Sequence, residues 1–163
     1  MFTSVQDVMP NVVERTPEGL SILIATKEHA KELTKGLRDM DKLECVAVGA
    51  DPSTAVESSM ASSDMSFTVM TKDDKVMAIF GAGEGDEPFI WMLGTNQVDL
   101  YAKDFLKNCR NWVWALAGYY GSVCNWIHVD NLVCIKWLKW CDAEFSEPVS
   151  IKGELFRKFK ITK

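Results

Sequence analysis

The stretch from Ser122 to Phe145, SVCNWIHVDNLVCIKWLKWCDAEF, constrains the fold of this chain more than any other segment. Residues 122–129 are mostly apolar and β-branched and contain neither Gly nor Pro, so they predict a buried central strand. Asp130 or Asn131 can then cap a helix by accepting a hydrogen bond from an orphaned backbone N–H. Apolar residues recur after that junction at helical spacing, at Leu132, Ile135, Leu138 and Cys141.

Size and charge exclude several classes of protein. With 163 residues, of which 47% are hydrophobic, the chain is long enough for one domain with a substantial core. Its net charge of −5 offers no basic footprint for nucleic acid. No apolar run approaches the roughly 18–20 residues of a membrane span. The N-terminus lacks a basic segment followed by an apolar core, so we expect neither a signal peptide nor secretion.

The five cysteines predict buried free thiols rather than a disulfide framework or a metal site. Their number is odd, no C-x-x-C pair occurs, and each lies in an apolar segment. The chain has only two histidines, and no metal-ligand spacing is present. We therefore predict no bound metal.

The order of elements predicts a mixed α/β fold with a mostly antiparallel central sheet and helices on both faces. Residues 1–19 are expected to form an irregular N-terminal arm, and residues 20–163 a single domain. Within that domain we expect, in order, a strand at 20–25, a helix at 27–37, a connector at 39–49, a helix at 51–63, strands at 67–70, 76–80 and 88–93, a helix at 99–120, the strand and helix described above, and a strand pair at 143–151 and 154–162.

Two segments allow a competing interpretation. The serine-rich residues 58–64 resemble a linker in composition, but a strand follows at once, which favours the end of a helix. Gly81, Gly83 and Gly85 suggest a phosphate-binding loop. No helix follows them to aim N–H groups at an anion, so a flexible strand end and turn is favoured.

The pattern N-x-x-x-I-[KR]-x-L-K-x-x-x-A-x-F, from Asn131 to Phe145, resembles the last strand–helix unit of the GNAT (Gcn5-related N-acetyltransferase) fold. The order of elements over residues 20–163 is also that of the GNAT fold. The resemblance implies two splayed central strands that admit acetyl-CoA between them. It also implies a glycine-containing loop whose N–H groups hold the pyrophosphate at a helix start.

That loop corresponds to residues 94–103 and departs from the family pattern. Leu100 stands where the resemblance implies a glycine, and Asp99 adds a negative charge where a pyrophosphate would lie. The remaining positions still match in part. The candidate cofactor-binding residues are Gln97, Ala102, Lys103 and Asn131.

The catalytic residues that the resemblance implies are also incomplete. Many GNAT enzymes place a proton-donating tyrosine seven residues after the helix-opening asparagine, and here that position is Leu138. Candidates for a general base are Glu84, Asp86 and His128. The alternative is that the two carboxylates are solvated loop residues and that His128 is a hydrogen-bonded core histidine.

All six tryptophans lie in the last part of the chain, from Trp91 onward. Trp114, Trp137 and Trp140 cannot all share the buried helix faces, so an exposed aromatic surface for a protein partner is one hypothesis. A crowded aromatic core is the other.

The C-terminal half is similar to a narrower group, the acetyltransferase-like internal virion proteins of short-tailed phages. The shared patterns are W-x-x-x-[ST]-[ND]-Q-V at residues 91–98, FLK at 105–107 and F-x-I-T-K at 159–163. This resemblance implies a non-catalytic virion or assembly protein without a cofactor, located in the virion or host cytoplasm and acting through contacts with other virion proteins. The alternative is an acetyl-CoA-dependent N-acetyltransferase that modifies a host or phage target.

Overall fold

Nine strands form one sheet in the computed structural model, which describes residues 12–163 without the side chains of Val12 and Leu106. The strands are β1 (Val12–Arg15), β2 (Ser21–Ile24), β3 (Met65–Met70), β4 (Val76–Gly83), β5 (Phe89–Gly94), β6 (Ser122–His128), β7 (Glu144–Phe145), β8 (Val149–Ile151) and β9 (Glu154–Thr162). The helices of this part of the chain are α1 (Lys27–Lys35), α2 (Asp39–Ala47), α3 (Ala55–Ser62), α4 (Gln97–Leu100), α5 (Ala102–Tyr120) and α6 (Leu132–Trp140).

The strand order is β1-β2-β3-β4-β5-β6-β9-β7, and β8 pairs with β9 as well. Among the strand pairs of residues 12–163, β5 and β6 are parallel and the others are antiparallel. The prediction of a mixed, mostly antiparallel α/β sheet is confirmed. The single parallel pair lies at the middle of the sheet, where α4 and α5 connect its two strands.

Strand β4 carries core residues on both of its faces. Val76 and Ile79 pack in one apolar cluster with Leu33 of α1 and Val56 of α3. Other β4 residues, such as Phe80, belong to a larger cluster that includes α5 and α6. Because apolar side chains leave water on both faces, β4 is buried along its whole length.

Helix α1 begins where the sequence predicts. The hydroxyl of Thr26 accepts a hydrogen bond from the His29 N–H, and the His29 ring nitrogen accepts one from the Thr26 N–H, each at 3.2 Å. This reciprocal pair satisfies two backbone donors at the helix start that would otherwise lack partners.

The irregular N-terminal arm is wrong for residues 12–15, which form strand β1 and pair with β2. Val13 is buried, and the Glu14 carboxylate accepts a hydrogen bond from Trp112 Nε1 at 2.6 Å. These two contacts attach β1 to the core and to α5. Residues 1–11 of the predicted arm lie outside the described residues.

The connector predicted at 39–49 is also wrong, because residues Asp39–Ala47 form helix α2. Asp39 and Asp41 lie in its first turn, where negative charge is favourable at a helix start. Its buried residues are Asp41, Cys45 and Ala47. The helix therefore shows no continuous apolar stripe from which it could have been predicted.

Three further segments bear on the predictions, one in agreement and two in disagreement. The serine-rich segment is largely helical, within α3, as favoured over a linker. The long helix predicted at 99–120 is preceded by the short α4, with a break at Tyr101. On α6 the buried residues are Cys134, Trp137 and Leu138, whereas Leu132, which was expected in the core, is 70% exposed.

A substitution at Gly81 tests the close packing between β4 and its neighbours. A Cβ atom there would lie 2.7 Å from the Met65 carbonyl oxygen and 2.8 Å from Trp91 Nε1. We expect Gly81→Ala to lower the free energy of unfolding by about 1–3 kcal/mol, as overpacking does, measured by urea denaturation.

Gly118→Ala on α5 is the matched control, since a Cβ there meets nothing within 4 Å. We expect this change to raise the free energy of unfolding by about 0.5–1 kcal/mol, because glycine disfavours a helix. Equal stability of the two variants would contradict the close approach at Gly81.

Candidate ligand-binding cleft between β5 and β6

The two central strands separate along their length. Phe89 of β5 pairs with Cys124 of β6, and the Asn125 side-chain amide donates to the Ile90 carbonyl at 2.7 Å. No further register pair between these strands follows in residues 12–163. The strands are therefore joined at their starts and open toward their C-terminal ends.

A cavity of about 490 Å³ occupies this opening. Residues of α2 and α3, such as Cys45 and Ser59, line it, as do residues of α5 and α6, such as Phe105 and Leu138. The strands contribute Trp91 and Trp126, among others. A cavity of this size lies in the range of small-molecule binding sites.

Helix α2 holds the end of β5 at the wide end of the opening. The Arg38 N–H donates to the Gly94 carbonyl at 2.9 Å, and Asp41 Oδ2 accepts from the Gly94 N–H at 2.7 Å. Both backbone groups of the last residue of β5 are thus satisfied by one helix. This matters because an unpaired buried backbone group costs about 1–3 kcal/mol.

The same helix also holds the end of β6. Glu44 Oε2 accepts from the His128 N–H at 3.0 Å, and Glu44 Oε1 accepts from the Asn131 side-chain amide at 2.7 Å. The Arg38 guanidinium donates to Asn131 Oδ1 at 3.1 Å. We call Arg38, Asp41, Glu44 and Asn131 the polar clamp, because together they bridge the two separated strand ends.

Burial raises the pKa of two carboxyl groups in the polar clamp. The pKa of Asp41 rises from 3.8 to about 6, although the nearby Arg38 charge opposes the rise. The pKa of Glu44 rises from 4.5 to about 7, while hydrogen bonds from the His128 N–H and Asn131 oppose it. Removal from water disfavours the ionised form of each carboxyl.

Sequence reasoning missed Asp41 and Glu44, which lie in the segment predicted as a connector, and Arg38, which directly precedes it. Asn131 was identified as a possible helix cap and as a candidate cofactor-binding residue, and the second role stays a prediction. It stands at the N-cap position of α6 without a side-chain capping hydrogen bond, because its amide is held by Arg38 and Glu44. The acid-rich start of α2 was the signal available in the sequence.

The loop that the resemblance assigned to a pyrophosphate satisfies its own N–H groups. Gln97 N–H donates to Thr95 Oγ1 at 3.2 Å, and Val98 N–H donates to the Thr95 carbonyl at 3.0 Å. The N–H groups of residues 99–101 donate to the carbonyls of Asn96 and Gln97 at 2.9–3.4 Å. The short helix α4 thus replaces an open, glycine-containing anion loop.

The charges and the packing around residues 97–103 also differ from those of an anion-binding site. Asp99 lies 3.6 Å from the Arg38 guanidinium, which Asp41 also approaches at 3.7 Å. Lys103 is exposed. Ala102 borders a residual space of about 10 Å³, beside Phe105 and Trp137. The described residues therefore do not fit a bound pyrophosphate.

The candidate catalytic residues are not brought together. Glu84 and Asp86 are exposed in the turn between β4 and β5, outside the residues that line the cavity. His128 is buried, with Nε2 2.7 Å from Glu154 Oε2 and Nδ1 accepting from the Asp130 N–H. Leu138, at the tyrosine position, is 4% exposed. A catalytic role for Glu84, Asp86 or His128 stays a prediction.

The three tryptophans proposed as exposed differ in environment. Trp137 follows the core alternative, because it is buried with its ring centroid 5.3 Å from that of Phe105. Trp114 is half-buried, and Trp140 is 51% exposed. The Arg110 guanidinium lies 4.3 Å from the ring centroids of both Trp114 and Trp140, a cation–π arrangement.

The remaining predictions concern thiols, metals and membranes. All five cysteines are free and buried, as predicted. In the part of the chain that the structure describes, no group of three or more His, Cys, Asp or Glu could hold a metal ion. Nor does this part contain a helix with the length and apolar character needed to cross a bilayer.

The raised pKa of Glu44 predicts a pH-dependent stability. Between pH 4.5 and about 7 the folded state binds more protons at Glu44 than the unfolded chain, so this group stabilises the fold progressively as the pH falls. We expect Glu44→Gln to reduce the stability gained between about pH 8 and pH 5 by about 1–3 kcal/mol, measured by urea denaturation at several pH values.

Glu57→Gln, on the exposed face of α3, is the control. Its free energy of unfolding should change with pH as that of the wild type does. Asp41 contributes a slope of the same sign and remains in both variants. A Glu44→Gln protein with the full wild-type pH dependence would contradict the assignment.

The fold resembles that of several solved acetyltransferases. A GCN5-related N-acetyltransferase from Kribbella flavida has a TM-score of 0.66 at 11% identity, covering 91% of this chain and 100% of its own. The aminoglycoside acetyltransferase AAC(6')-Ib in complex with coenzyme A has a TM-score of 0.61 at 15% identity, covering 88% and 95%. The ribosomal-protein-S18-alanine N-acetyltransferase from Escherichia coli has a TM-score of 0.60 at 10% identity, covering 88% and 93%.

No protein-family model and no curated protein matches the sequence. At identities of 10–15% the structural likeness establishes the fold and leaves the activity open. The chain therefore has the mixed α/β fold of the GNAT acyltransferases.

Proposed function

We propose that this protein is a non-catalytic, GNAT-fold phage protein of the virion or its assembly, acting through protein contacts. The observation that carries the proposal is the hydrogen bonding of residues 97–101. Five successive N–H groups there donate within the loop, whereas an anion site needs N–H groups that point at the ligand.

The charges around the loop support the same conclusion. The buried Arg38 guanidinium lies 3.6 Å from Asp99 of this loop, and it already faces Asp41 and Asn131 as well. A pyrophosphate would have to compete with two carboxylates for one guanidinium. Like charges at such distances disfavour one another, so this arrangement opposes CoA binding.

The position of the expected acid gives independent support. Leu138 has no proton to donate to a leaving thiolate, and it lies on the buried face of α6. A reaction by general acid catalysis would need another donor in this place. The other residues that the resemblance offers as acid–base groups, Glu84, Asp86 and His128, do not line the cavity on which Leu138 lies.

Protein contacts are the expected mode of action, with other virion proteins as partners. Trp140 is the exposed aromatic residue of the predicted set, and Trp114 and Arg110 extend its surface. Tryptophan and arginine are enriched at the energetic centres of protein interfaces. The similarity of residues 91–98 and 159–163 to internal virion proteins supports the choice of partner and a location in the virion or host cytoplasm.

The second candidate is an acetyl-CoA-dependent N-acetyltransferase that acts on a host or phage target. One observation favours it, the open cavity of about 490 Å³ between β5 and β6. A solved structure of the same fold, AAC(6')-Ib, is described in complex with coenzyme A. In this candidate the diverged loop would have to rearrange to hold the cofactor.

Calorimetric titration with acetyl-CoA and with CoA separates the two candidates. We expect no detectable heat of binding at millimolar ligand, because the loop N–H groups are already paired. An active acetyltransferase of the same fold provides the positive control. Micromolar binding, equivalent to about −8 kcal/mol, would overturn the non-catalytic proposal.

Particle composition tests the assembly role. We expect the chain in purified phage particles or assembly intermediates by quantitative mass spectrometry, and we expect Trp140→Ala to reduce its incorporation. Tyr119→Ala, at another exposed aromatic residue, is the control and should be incorporated normally. Absence of the wild-type chain from both particles and intermediates would refute the role.

A further inference from the structure

The ionisable acids and bases that line the inter-strand cavity are all acids among the described residues. Glu44 and Asp51 contribute carboxyl groups to its lining. None of the described residues that line it is Lys, Arg or His. A ligand that carries phosphate or carboxylate would therefore find no countercharge among these residues, and it would meet the exposed Asp51 carboxylate, which carries a charge of the same sign.

The cavity is also rich in aromatic rings. Its lining includes Trp91, Trp112, Trp126 and Trp137. Tryptophan offers the most favourable ring face for a cation, and groups of aromatic side chains recognise quaternary ammonium ions. The combination of these rings with a carboxyl group favours a ligand that has a cationic group attached to a short apolar carbon skeleton.

The Glu44 carboxyl group is held in a fixed orientation. One oxygen accepts from the His128 N–H at 3.0 Å, and the other accepts from the Asn131 amide at 2.7 Å. Each carboxylate oxygen has more than one lone pair, so both can accept a further hydrogen bond or face a cation. A preorganised carboxylate loses little freedom when a ligand arrives.

Asp51 is placed differently from Glu44. It is exposed, and its Oδ1 accepts from the backbone N–H and hydroxyl of Ser53 at 2.9 and 2.8 Å. These hydrogen bonds lower its pKa and keep it ionised at neutral pH. An exposed carboxylate beside a cavity attracts cations toward it.

We propose that the cavity between β5 and β6 is a binding site for a compact organic cation, a protonated or quaternary ammonium group on a short apolar body. The proposal rests on the proposed function, because a cofactor in the same space would displace such a ligand. The cation is bound and not acylated. It is either a free small molecule or the end of a lysine side chain on a partner protein.

The test compares choline with its neutral isostere 3,3-dimethylbutan-1-ol, by calorimetry and by tryptophan fluorescence. The two probes share shape and hydroxyl group and differ in charge. We expect choline to bind at least roughly tenfold more tightly, since the carboxyl group and the ring faces act on the charge. A lysine-containing peptide and free n-butylammonium, compared in the same assay, distinguish a partner side chain from a small molecule.

Two variants examine the residues that carry the proposal. Glu44→Gln should weaken choline binding roughly tenfold and leave binding of the isostere unchanged. Trp126→Leu keeps an apolar side chain but removes a ring, and it should also weaken choline binding selectively. Trp140→Leu, which lies outside the cavity lining, is the matched control and should bind choline as the wild type does. Circular dichroism and thermal melting identify a variant that fails to fold.

Equal affinity for choline and its isostere would overturn the proposal, as would absence of binding by every cationic probe at millimolar concentration. Wild-type affinity for choline in both Glu44→Gln and Trp126→Leu would also overturn it. Binding of CoA in the separate titration would instead overturn the proposed function. The two failures are therefore distinguishable.

Discussion

The polar clamp is the arrangement on which the open centre of this fold depends. Two parallel strands that diverge leave backbone N–H and C=O groups without their ladder partners. Helix α2 supplies those partners: Arg38 and Asp41 take both backbone groups of Gly94, and Glu44 takes the N–H of His128. The opening is thus stabilised by hydrogen bonds from a neighbouring helix, and without them each unpaired group would cost about 1–3 kcal/mol.

The same interactions decide what the opening can accept. Asp41 and Glu44 bring carboxyl groups to the place where the fold's resemblance implies a phosphate-bearing cofactor, and α4 closes the loop that would hold it. The cavity persists, but the charged groups among its described lining residues are acidic, and its walls include four tryptophans. A shared fold with acetyltransferases is therefore compatible with a different ligand and a different function.

Helix α6 shows why a sequence pattern could predict an element but not its buried face. Its residues are apolar on nearly every side, so Leu132 and Trp137 were equally acceptable core residues. Packing decided between them: Trp137 packs against Phe105 of α5 with tilted rings, and Leu132 is exposed to solvent. Helix α2 presents the opposite difficulty, because a buried face with Asp41 in it carries no apolar stripe to recognise.

The sequence by itself determined most of the order of strands and helices, the central strand β6, the buried thiols and the mixed α/β class, because these depend on local propensity and on the period of apolar residues. It did not predict strand β1 or helix α2. Asn131, Leu138 and the altered loop at residues 97–101 were also visible as departures from a family pattern. Only the tertiary structure brought Arg38, Asp41 and Glu44 onto the strand ends and placed Glu44 beside tryptophans from distant segments. These contacts join residues that are 53 positions apart for Asp41 and Gly94 and 93 apart for Arg38 and Asn131, and no local pattern encodes a pairing over such a distance.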